Sequence, residues 1–338
     1  MKNNRNMMYP ISLIPGSLVI AGNLSGGLYI LVFPILFLTL YPILDKILKP
    51  DYSNEENTNS FFPDFILFLN VLAHTTSIIA LFYGIQSGII VGWSILFASV
   101  GTGLQSGISG INVAHELIHR KSSFWKLLGI WNLLIVNYAH FYVEHVKGHH
   151  KWVGTKRDPA TARKNETVYF FIFRTIPQQF ISAIQIETRR LEGQKKSLFG
   201  IYNHIIQLTI FQILIAVSVY LFLGFTVLAA YLIQSLIAIL LLEMVNYIEH
   251  YGLSRDEAER VDFRHSWQSD SILSRGTLVD LTRHSDHHAN ASIPYHQLKS
   301  HKESPELPGG YFSLFYPALI PPVWFGMMNP KVEMLNNL

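Results

Sequence analysis

The fold of this chain is decided by residues 205–242, which read IIQLTIFQILIAVSVYLFLGFTVLAAYLIQSLIAILLL. These 38 residues contain no Asp, Glu, Lys, Arg or His. One helical membrane crossing needs about 20 apolar residues, so this stretch is long enough for two crossings. Gly224 lies near its middle, where a turn between the two helices is expected. The stretch therefore predicts a helical hairpin whose two ends lie on the same side of a membrane.

Similar apolar stretches occur earlier in the chain, at residues 26–44 and 65–114, and neither contains Asp, Glu, Lys or Arg. Only 14% of the 338 residues are charged, whereas soluble domains have about 25%. We therefore predict an all-α integral membrane bundle, with residues 1–338 as a single membrane domain. Its six transmembrane helices are expected near residues 9–23, 26–44, 65–84, 89–110, 205–223 and 225–246.

The orientation follows from the basic residues, which are enriched in cytoplasmic loops of membrane proteins. With the N-terminus inside, the inner segments hold all 26 Lys and Arg residues: 2 in 1–8, 2 in 45–64, 14 in 115–204 and 8 in 243–338. Both termini are therefore predicted to be cytoplasmic. Lys2 and Arg5 precede the first apolar run as in a signal peptide, but no small-residue cleavage site is obvious, so a retained helix is expected. Three further apolar stretches are expected to lie along the membrane surface, at 127–143, 167–186 and 307–330.

Nine of the 15 histidines fall in four clusters on the predicted inner side. The clusters are HELIH with His115 and His119, EHVKGHH with His145, His149 and His150, NYIEH with His250, and RHSDHH with His284, His287 and His288. The chain has no cysteine, which excludes zinc–thiolate sites and cysteine-ligated iron–sulfur clusters. The segments that carry the clusters, 115–204 and 247–338, are therefore predicted to form a helical cytoplasmic cap with a histidine-only metal site.

Helical spacing predicts which rings share a face. His115 and His119 are four residues apart and project from one side of a helix. His145 and His149 repeat that spacing, and His150 adds a ligand on a different bearing. The cluster at 284–288 also places its three rings on one face. Nine neutral imidazoles fit two ions with four or five ligands each, but imidazole binds iron, copper, zinc and nickel alike.

Each cluster also carries an acid. Histidines that bind metals usually donate their second ring N–H to a carboxylate or a carbonyl, which orients the ring. Carboxylates would also offset the positive charge of two metal ions. This supporting role is predicted for Glu116, Glu144, Asp158, Glu249 and Asp286, and also for the imidazole of His140. The net charge of +3 gives no indication of a nucleic-acid partner.

The HELIH string alone permits a different interpretation. The pattern H-E-x-x-H is typical of zinc proteases, in which Glu116 would act as the general base. An intramembrane zinc metalloprotease is therefore an alternative. Such a site uses about three protein ligands for one zinc ion, which would leave six clustered histidines without a role.

The three boxes H-x3-H, H-x3-HH and H-x2-HH resemble the integral-membrane diiron superfamily of fatty-acid desaturases and hydroxylases. Four longer strings resemble the alkane 1-monooxygenase family within it: HELIHR at 115–120, EHVKGHHKWVGTKRDPATAR at 144–163, NYIEHYGL at 246–253 and RHSDHHANA at 283–291. The resemblance implies six membrane helices in a bacterial inner membrane. It also implies a site of two iron ions held by the nine clustered histidines.

The resemblance further implies an activity, which is the O2-dependent hydroxylation of the terminal methyl group of medium-chain or long-chain alkanes to 1-alkanols. Its electrons would come from rubredoxin and an NAD(P)H-dependent reductase, and the alkane would come from the lipid phase. Two positions depart from the family pattern. Arg120 stands where Lys is common, and residues 291–295 read ASIPY where Pro and basic residues usually follow. A xylene-type methyl-group monooxygenase and a fatty-acyl desaturase or hydroxylase therefore remain as alternatives.

Overall fold

A computed structural model of the chain describes residues 5–54 and 59–336. The predicted all-α class is confirmed for this part, which contains helices and two isolated β-bridges, Pro50 with Ser271 and Gln268 with Glu306, but no strand. Lys2, which contributed to the predicted orientation, lies outside the described residues, as does the middle of the polar loop at 51–60.

Within the described ranges, four helices are long and apolar enough to cross a membrane: Arg5–Ser25, Gly27–Ile47, Phe61–Gln86 and His204–His250. His204–His250 has 47 residues. At 1.5 Å per residue, an uninterrupted helix of this many residues would be about 70 Å long, more than twice the thickness of a bilayer core. Gly224 has φ 84° and ψ 174° and interrupts the helical conformation there. The break falls where the sequence predicted the turn of a hairpin. The chain is thus a multi-pass membrane protein.

The other helices are shorter or more polar. In chain order they are Ser94–Gln105, Ser106–Ile111, Asn112–Ile118, Ser123–Leu134, Phe141–Glu144, His145–His149, His150–Trp152, Val168–Gly193, Phe263–His265, Ile272–Thr277, His284–Ala289, Tyr295–Gln297, Tyr311–Leu319 and Pro321–Asn336. None of the helices at 127–143, 167–186 or 307–330 is among the four helices of spanning length in the described chain.

Glycines allow the membrane helices to pack closely. Helix His204–His250 packs along Ser94–Gln105, and a Cβ atom on Gly103 would lie 2.7 Å from the backbone oxygen of Gln234. A Cβ atom on Gly107 would lie 2.9 Å from the Leu241 side chain. Such contacts between small residues are typical of helix association in membranes. They fix the helix that leads to the first histidine cluster against the helix that leads to His250.

A π-helical segment, Ser106–Ile111, precedes the first histidine cluster. Its i→i+5 hydrogen bonds insert one extra residue into the helical path, which changes the direction of every later side chain. Gly110 lies in this segment, and a Cβ atom there would lie 2.5 Å from the ring of His74. The His74 ring thus occupies the space that a side chain at Gly110 would need. This packing helps set the direction of His115, five residues further along.

A buried ionic network joins the N-terminal helix to the last histidine cluster. Asp280 accepts hydrogen bonds from Arg5 Nε at 2.7 Å, Tyr9 Oη at 2.7 Å and Arg275 Nε at 2.6 Å. Burial raises the pKa of the Asp280 carboxyl, but the guanidinium groups lower it more, so its pKa lies below the usual range. The ionised carboxylate therefore anchors the first helix to the segment that leads into His284–Ala289.

Candidate metal centre

The nine clustered histidines come together at one end of the bundle and form two groups. We call them the five-histidine group, with His115, His119, His145, His150 and His287, and the four-histidine group, with His149, His250, His284 and His288. In each group the candidate ligand nitrogens all lie within 4.8 Å of one another. With metal–nitrogen bonds of about 2.1 Å, opposite ligands lie about 4.2 Å apart. The size of each group therefore matches a single ion.

The ring nitrogens converge in both groups. Nε2 of His150 lies 3.0 Å from Nε2 of His145 and 3.2 Å from Nε2 of His287. In the four-histidine group, Nε2 of His288 lies 3.0 Å from Nε2 of His284. Burial lowers the pKa of His145, His287 and His288 well below the usual range, and neighbouring histidines lower it further. Neutral imidazoles with lone pairs pointing at a common centre are the donor set that a transition-metal ion requires.

Several of the converging ring nitrogens make no hydrogen bond within the described structure. Nε2 of His115, His119 and His149 is buried and has no hydrogen-bond partner among the described residues. An unpaired buried nitrogen costs free energy unless something else binds it. These atoms fit a metal ion, which would take up the lone pair of each.

The second cluster supplies both groups. His145 and His149 have the same spacing as His115 and His119, but they fall in different groups, and His145 joins His150 instead. The physical reason is the π-helical segment His145–His149. A π-helix has more residues per turn than an α-helix, so residues five apart lie on one face.

The last cluster also supplies both groups. His284 and His288 belong to the four-histidine group, whereas His287 belongs to the five-histidine group. Adjacent residues of an α-helix point about 100° apart, so His287 and His288 diverge. Helix His284–Ala289 therefore lies between the two groups and supplies both. His115 and His119 share a group, as their spacing predicted.

The two groups adjoin and are largely shielded from solvent. The ring centroids of His150 and His288, one from each group, are 4.4 Å apart, and those of His145 and His149 are 5.1 Å apart. His119 and His150 are half-buried, and the other seven rings are buried. The arrangement can therefore hold two metal ions side by side, and solvent approaches it from the five-histidine group.

Asp158 contacts the Nδ1 atom of one cluster ring. Its Oδ2 lies 2.9 Å from Nδ1 of His149 and accepts a hydrogen bond of 2.6 Å from the Thr161 hydroxyl. Burial raises the pKa of Asp158, but His149 and Thr161 outweigh this effect, so the pKa lies below its usual value. A carboxylate at Nδ1 places the ring proton there, which leaves the Nε2 lone pair free for a metal.

Glu249 contacts the cluster from the opposite side. Its Oε2 lies 3.2 Å from Nε2 of His284, the nitrogen that faces the other rings of the four-histidine group. Its Oε1 accepts a hydrogen bond of 2.7 Å from the Tyr311 hydroxyl. Glu249 therefore supplies an oxygen on the side to which the ring nitrogens converge. The predicted supporting role would have placed it at the second ring nitrogen, which points away from the metal site.

The remaining residues with a predicted supporting role, three acids and His140, have other partners. Glu116 pairs with Arg120 at 2.7 Å, Glu144 accepts a bond of 3.4 Å from Ser182, Asp286 contacts His301 Nε2 at 2.8 Å, and His140 packs against the rings of Tyr138 and Phe180. No hydrogen bond in the described structure joins any of the four to a cluster ring. Two further supporting residues, Thr161 and Tyr311, were not predicted from the sequence. Thr161 follows Asp158 by three residues, and this short spacing could have indicated a contact between them. Nothing in the sequence near Tyr311 indicates its contact with Glu249.

A small cavity adjoins both groups. It measures about 70 Å3 and is bordered by His115, His145 and His284. Its other walls are mostly apolar, with Phe37, Ile111, Phe141, Leu241, Met244, Phe312 and Phe315 among them, and Asn246 and Glu249 add polar groups. A non-polar molecule can therefore reach the converging nitrogens without displacing charged side chains.

The chain is similar in sequence to several known proteins. The family model for fatty acid desaturase matches residues 87–318. Alkane 1-monooxygenase 1 of Alcanivorax borkumensis is 33% identical over 309 residues, which cover 88% of this chain and 76% of that protein. The chain therefore belongs to the fatty acid desaturase family and, within it, to the group that contains the alkane 1-monooxygenases.

Other relatives support the same placement. Alkane 1-monooxygenase 2 of Alcanivorax borkumensis is 40% identical over 248 residues, which cover 72% of this chain and 64% of that protein. The chain thus spans somewhat less than two thirds of that relative. The xylene/toluene monooxygenase hydroxylase component of Pseudomonas putida is 28% identical over 299 residues, which cover 86% of this chain and 79% of that protein.

Proposed function

We propose that this chain is an alkane 1-monooxygenase that hydroxylates the terminal methyl group of medium-chain or long-chain alkanes. The overall reaction consumes the alkane, O2, two electrons and two protons, and it yields the 1-alkanol and water. The observation that carries this proposal is the apolar cavity beside two adjoining histidine groups. The alkane 1-monooxygenases among the relatives support the same reaction.

The residues have separate tasks in this proposal. The nine clustered histidines would hold two iron ions, which supply O2 activation when bound. Asp158 keeps Nε2 of His149 available, and Glu249 places a carboxyl oxygen beside the four-histidine group. The apolar walls bind the chain end and exclude water from the reacting carbon. Because an alkane offers no polar group, position along the chain has to be selected by shape.

We further propose that electrons arrive from a rubredoxin, itself reduced by an NAD(P)H-dependent reductase. Beside the half-buried His150, the side chains of Lys151 and Arg157 lie over the Trp152 ring, with the charged groups 4.6 Å and 3.8 Å from its centroid. A basic surface close to a ligand would attract an acidic electron carrier. This location would also keep the path for electrons short.

For the membrane arrangement we propose six crossings in the bacterial inner membrane, with both termini in the cytoplasm. All 26 Lys and Arg residues fall in the segments assigned to the inner side. The conformational break at Gly224 supports two crossings in helix His204–His250. The histidine groups would then face the cytoplasm, where the reductase and NAD(P)H are present.

The proposal is tested with the full chain in membranes that are supplied with a rubredoxin, its reductase, NADH, O2 and octane. We expect 1-octanol as the main product, with loss of activity in His145→Ala. An alkene from an acyl substrate, without alcohol, would identify a desaturase instead. Formation of methylbenzyl alcohol from xylene at a higher kcat/KM than 1-octanol from octane would favour the second candidate, which the xylene/toluene relative supports.

A further inference from the structure

A second, larger opening lies on the outside of the bundle. This groove, which we call the lateral groove, measures about 720 Å3 and lies among four helices, Ser94–Gln105, Val168–Gly193, His204–His250 and Tyr311–Leu319. Its lining is apolar apart from Tyr169, and it includes Ile176 and Leu236. Several of its side chains are largely exposed, including Phe173 at 82% and Leu236 at 53%. In a membrane protein such a surface contacts lipid tails.

The lateral groove and the cavity beside the histidines meet at three side chains. Leu241, Met244 and Phe315 line both spaces. Leu241 and Met244 are 9% and 5% exposed, and Phe315 is half-buried, so they separate the lipid side from the interior. Leu241 and Met244 lie on helix His204–His250, about two turns before His250, which belongs to the four-histidine group.

The two spaces differ in size in a way that suits a long chain. The cavity, about 70 Å3, is roughly a tenth of the groove, about 720 Å3. The cavity beside the histidines is therefore the narrower of the two spaces. Carbons of a long chain that lie outside it would need a continuous apolar space beyond the three side chains.

Helix Tyr311–Leu319, which carries Phe315, is tied to both neighbours. The Tyr169 hydroxyl donates a hydrogen bond of 2.8 Å to the backbone oxygen of Leu319. On its other side, the Tyr316 hydroxyl donates one of 2.6 Å to the backbone oxygen of Leu38. The Phe315 ring meets the ring of Phe37 edge-on, with centroids 5.7 Å apart. The helix that carries Phe315 is thus held at fixed points on both sides.

We propose that linear hydrocarbons enter the cavity from the lipid phase through the lateral groove, and that Leu241, Met244 and Phe315 form the gate. This inference rests on the proposed function for the identity of the substrate. The commitment to a hydrocarbon follows from the apolar lining and from the continuity of the groove with the cavity. Lipid acyl chains also fit the groove, but they would not need to pass the gate.

The first test detects the route without turnover. The full chain in nanodiscs is irradiated with a linear alkyl diazirine, and the labelled residues are mapped by mass spectrometry. We expect adducts in the groove, such as at Ile176, and in the cavity, such as at Ile111, both reduced by excess octane. Leu241→Trp should abolish the cavity adducts and keep those in the groove. Unchanged cavity labelling in that variant would overturn the proposed route.

The second test measures kcat/KM for octane. We expect at least a tenfold decrease in Leu241→Trp and no change in Leu221→Trp, a matched change at an exposed leucine of the same helix. Phe315→Ala changes the gate from another helix and should increase the rate for branched alkanes relative to octane. The gate is refuted if kcat/KM of Leu241→Trp for octane matches that of wild type.

The two tests distinguish an error in the proposed route from an error in the proposed function. If wild type hydroxylates no alkane but shows the expected labelling in groove and cavity, the route holds and the proposed function is wrong. If wild type hydroxylates octane but Leu241→Trp is labelled in the cavity as strongly as wild type, the function holds and the route is wrong.

Discussion

Replacing Asp158 by Asn isolates the effect of one carboxylate on one metal position. Asp158 is buried and accepts hydrogen bonds from His149 and Thr161. The amide side chain of Asp158→Asn would keep the size but lose the charge, and its NH2 group can donate where the carboxylate only accepted. The His149 ring would then lose the partner that keeps its proton on Nδ1.

The expected loss of metal affinity follows from the kind of contact that Asp158 makes with His149. Removing the group that orients a metal-binding histidine typically lowers metal affinity or activity by about 10-fold to 100-fold. This corresponds to about 1.4 to 2.8 kcal/mol of binding free energy. The loss should concern the ion of the four-histidine group, because His149 belongs to it. The five-histidine group contains no ligand that contacts Asp158 in the described structure.

The assay is a competition between the purified protein and a chelator, with the bound iron counted at each chelator concentration. Asp158→Asn should lose about half of its iron at a 10-fold to 100-fold lower chelator concentration, and Asp256→Asn, at an exposed position, should match wild type. Thr161→Val keeps the charge and should give an intermediate loss. Equal retention of both ions in Asp158→Asn and wild type would refute the reasoning.

Gly110→Ala should lower the free energy of unfolding by about 1 to 3 kcal/mol through overpacking. Gly326→Ala should be neutral or stabilising, because no atom lies within 4 Å of the added Cβ atom. Denaturant titration in detergent compares the two variants. Burial lowers the pKa of His145 and of the neighbouring histidines in the folded chain, so below about pH 6.5 only the unfolded chain binds protons at these rings. The metal-free protein should therefore lose stability as the pH falls. Its midpoint of thermal unfolding should be lower at about pH 5.5 than at about pH 7.5. Asp280→Ala should cost about 3 to 5 kcal/mol, because it removes the carboxylate that faces Arg5 in the interior, and thermal unfolding measures the loss.

The membrane helices were predictable because apolar length is a local property of the sequence. The charge-free stretch at 205–242 predicted two helices with a turn at Gly224, and the backbone departs from helical geometry at that residue. The membership of the metal centre was also predictable, since nine histidines in four short clusters have few other uses. Both inferences depended only on residue type and spacing.

The partition of the histidines was not predictable from spacing, because spacing arguments assume a regular α-helix. The π-helical segment His145–His149 changes which rings share a face, and nothing in its five residues marks it. Asp158 was identified because it lies close to its cluster in sequence. Tyr311 could not be identified in this way, because it lies 62 positions after Glu249 in the chain and contacts it only through tertiary packing.

The central claim is that the nine histidines hold two iron ions in adjoining groups of five and four. The most direct measurement is the iron content per chain of purified wild type, His287→Ala and His288→Ala. These neighbours belong to different groups, so we expect two ions in wild type and about one in each variant, with a different ion lost in each. Fewer than two ions in wild type, or two ions retained in both variants, would contradict the account.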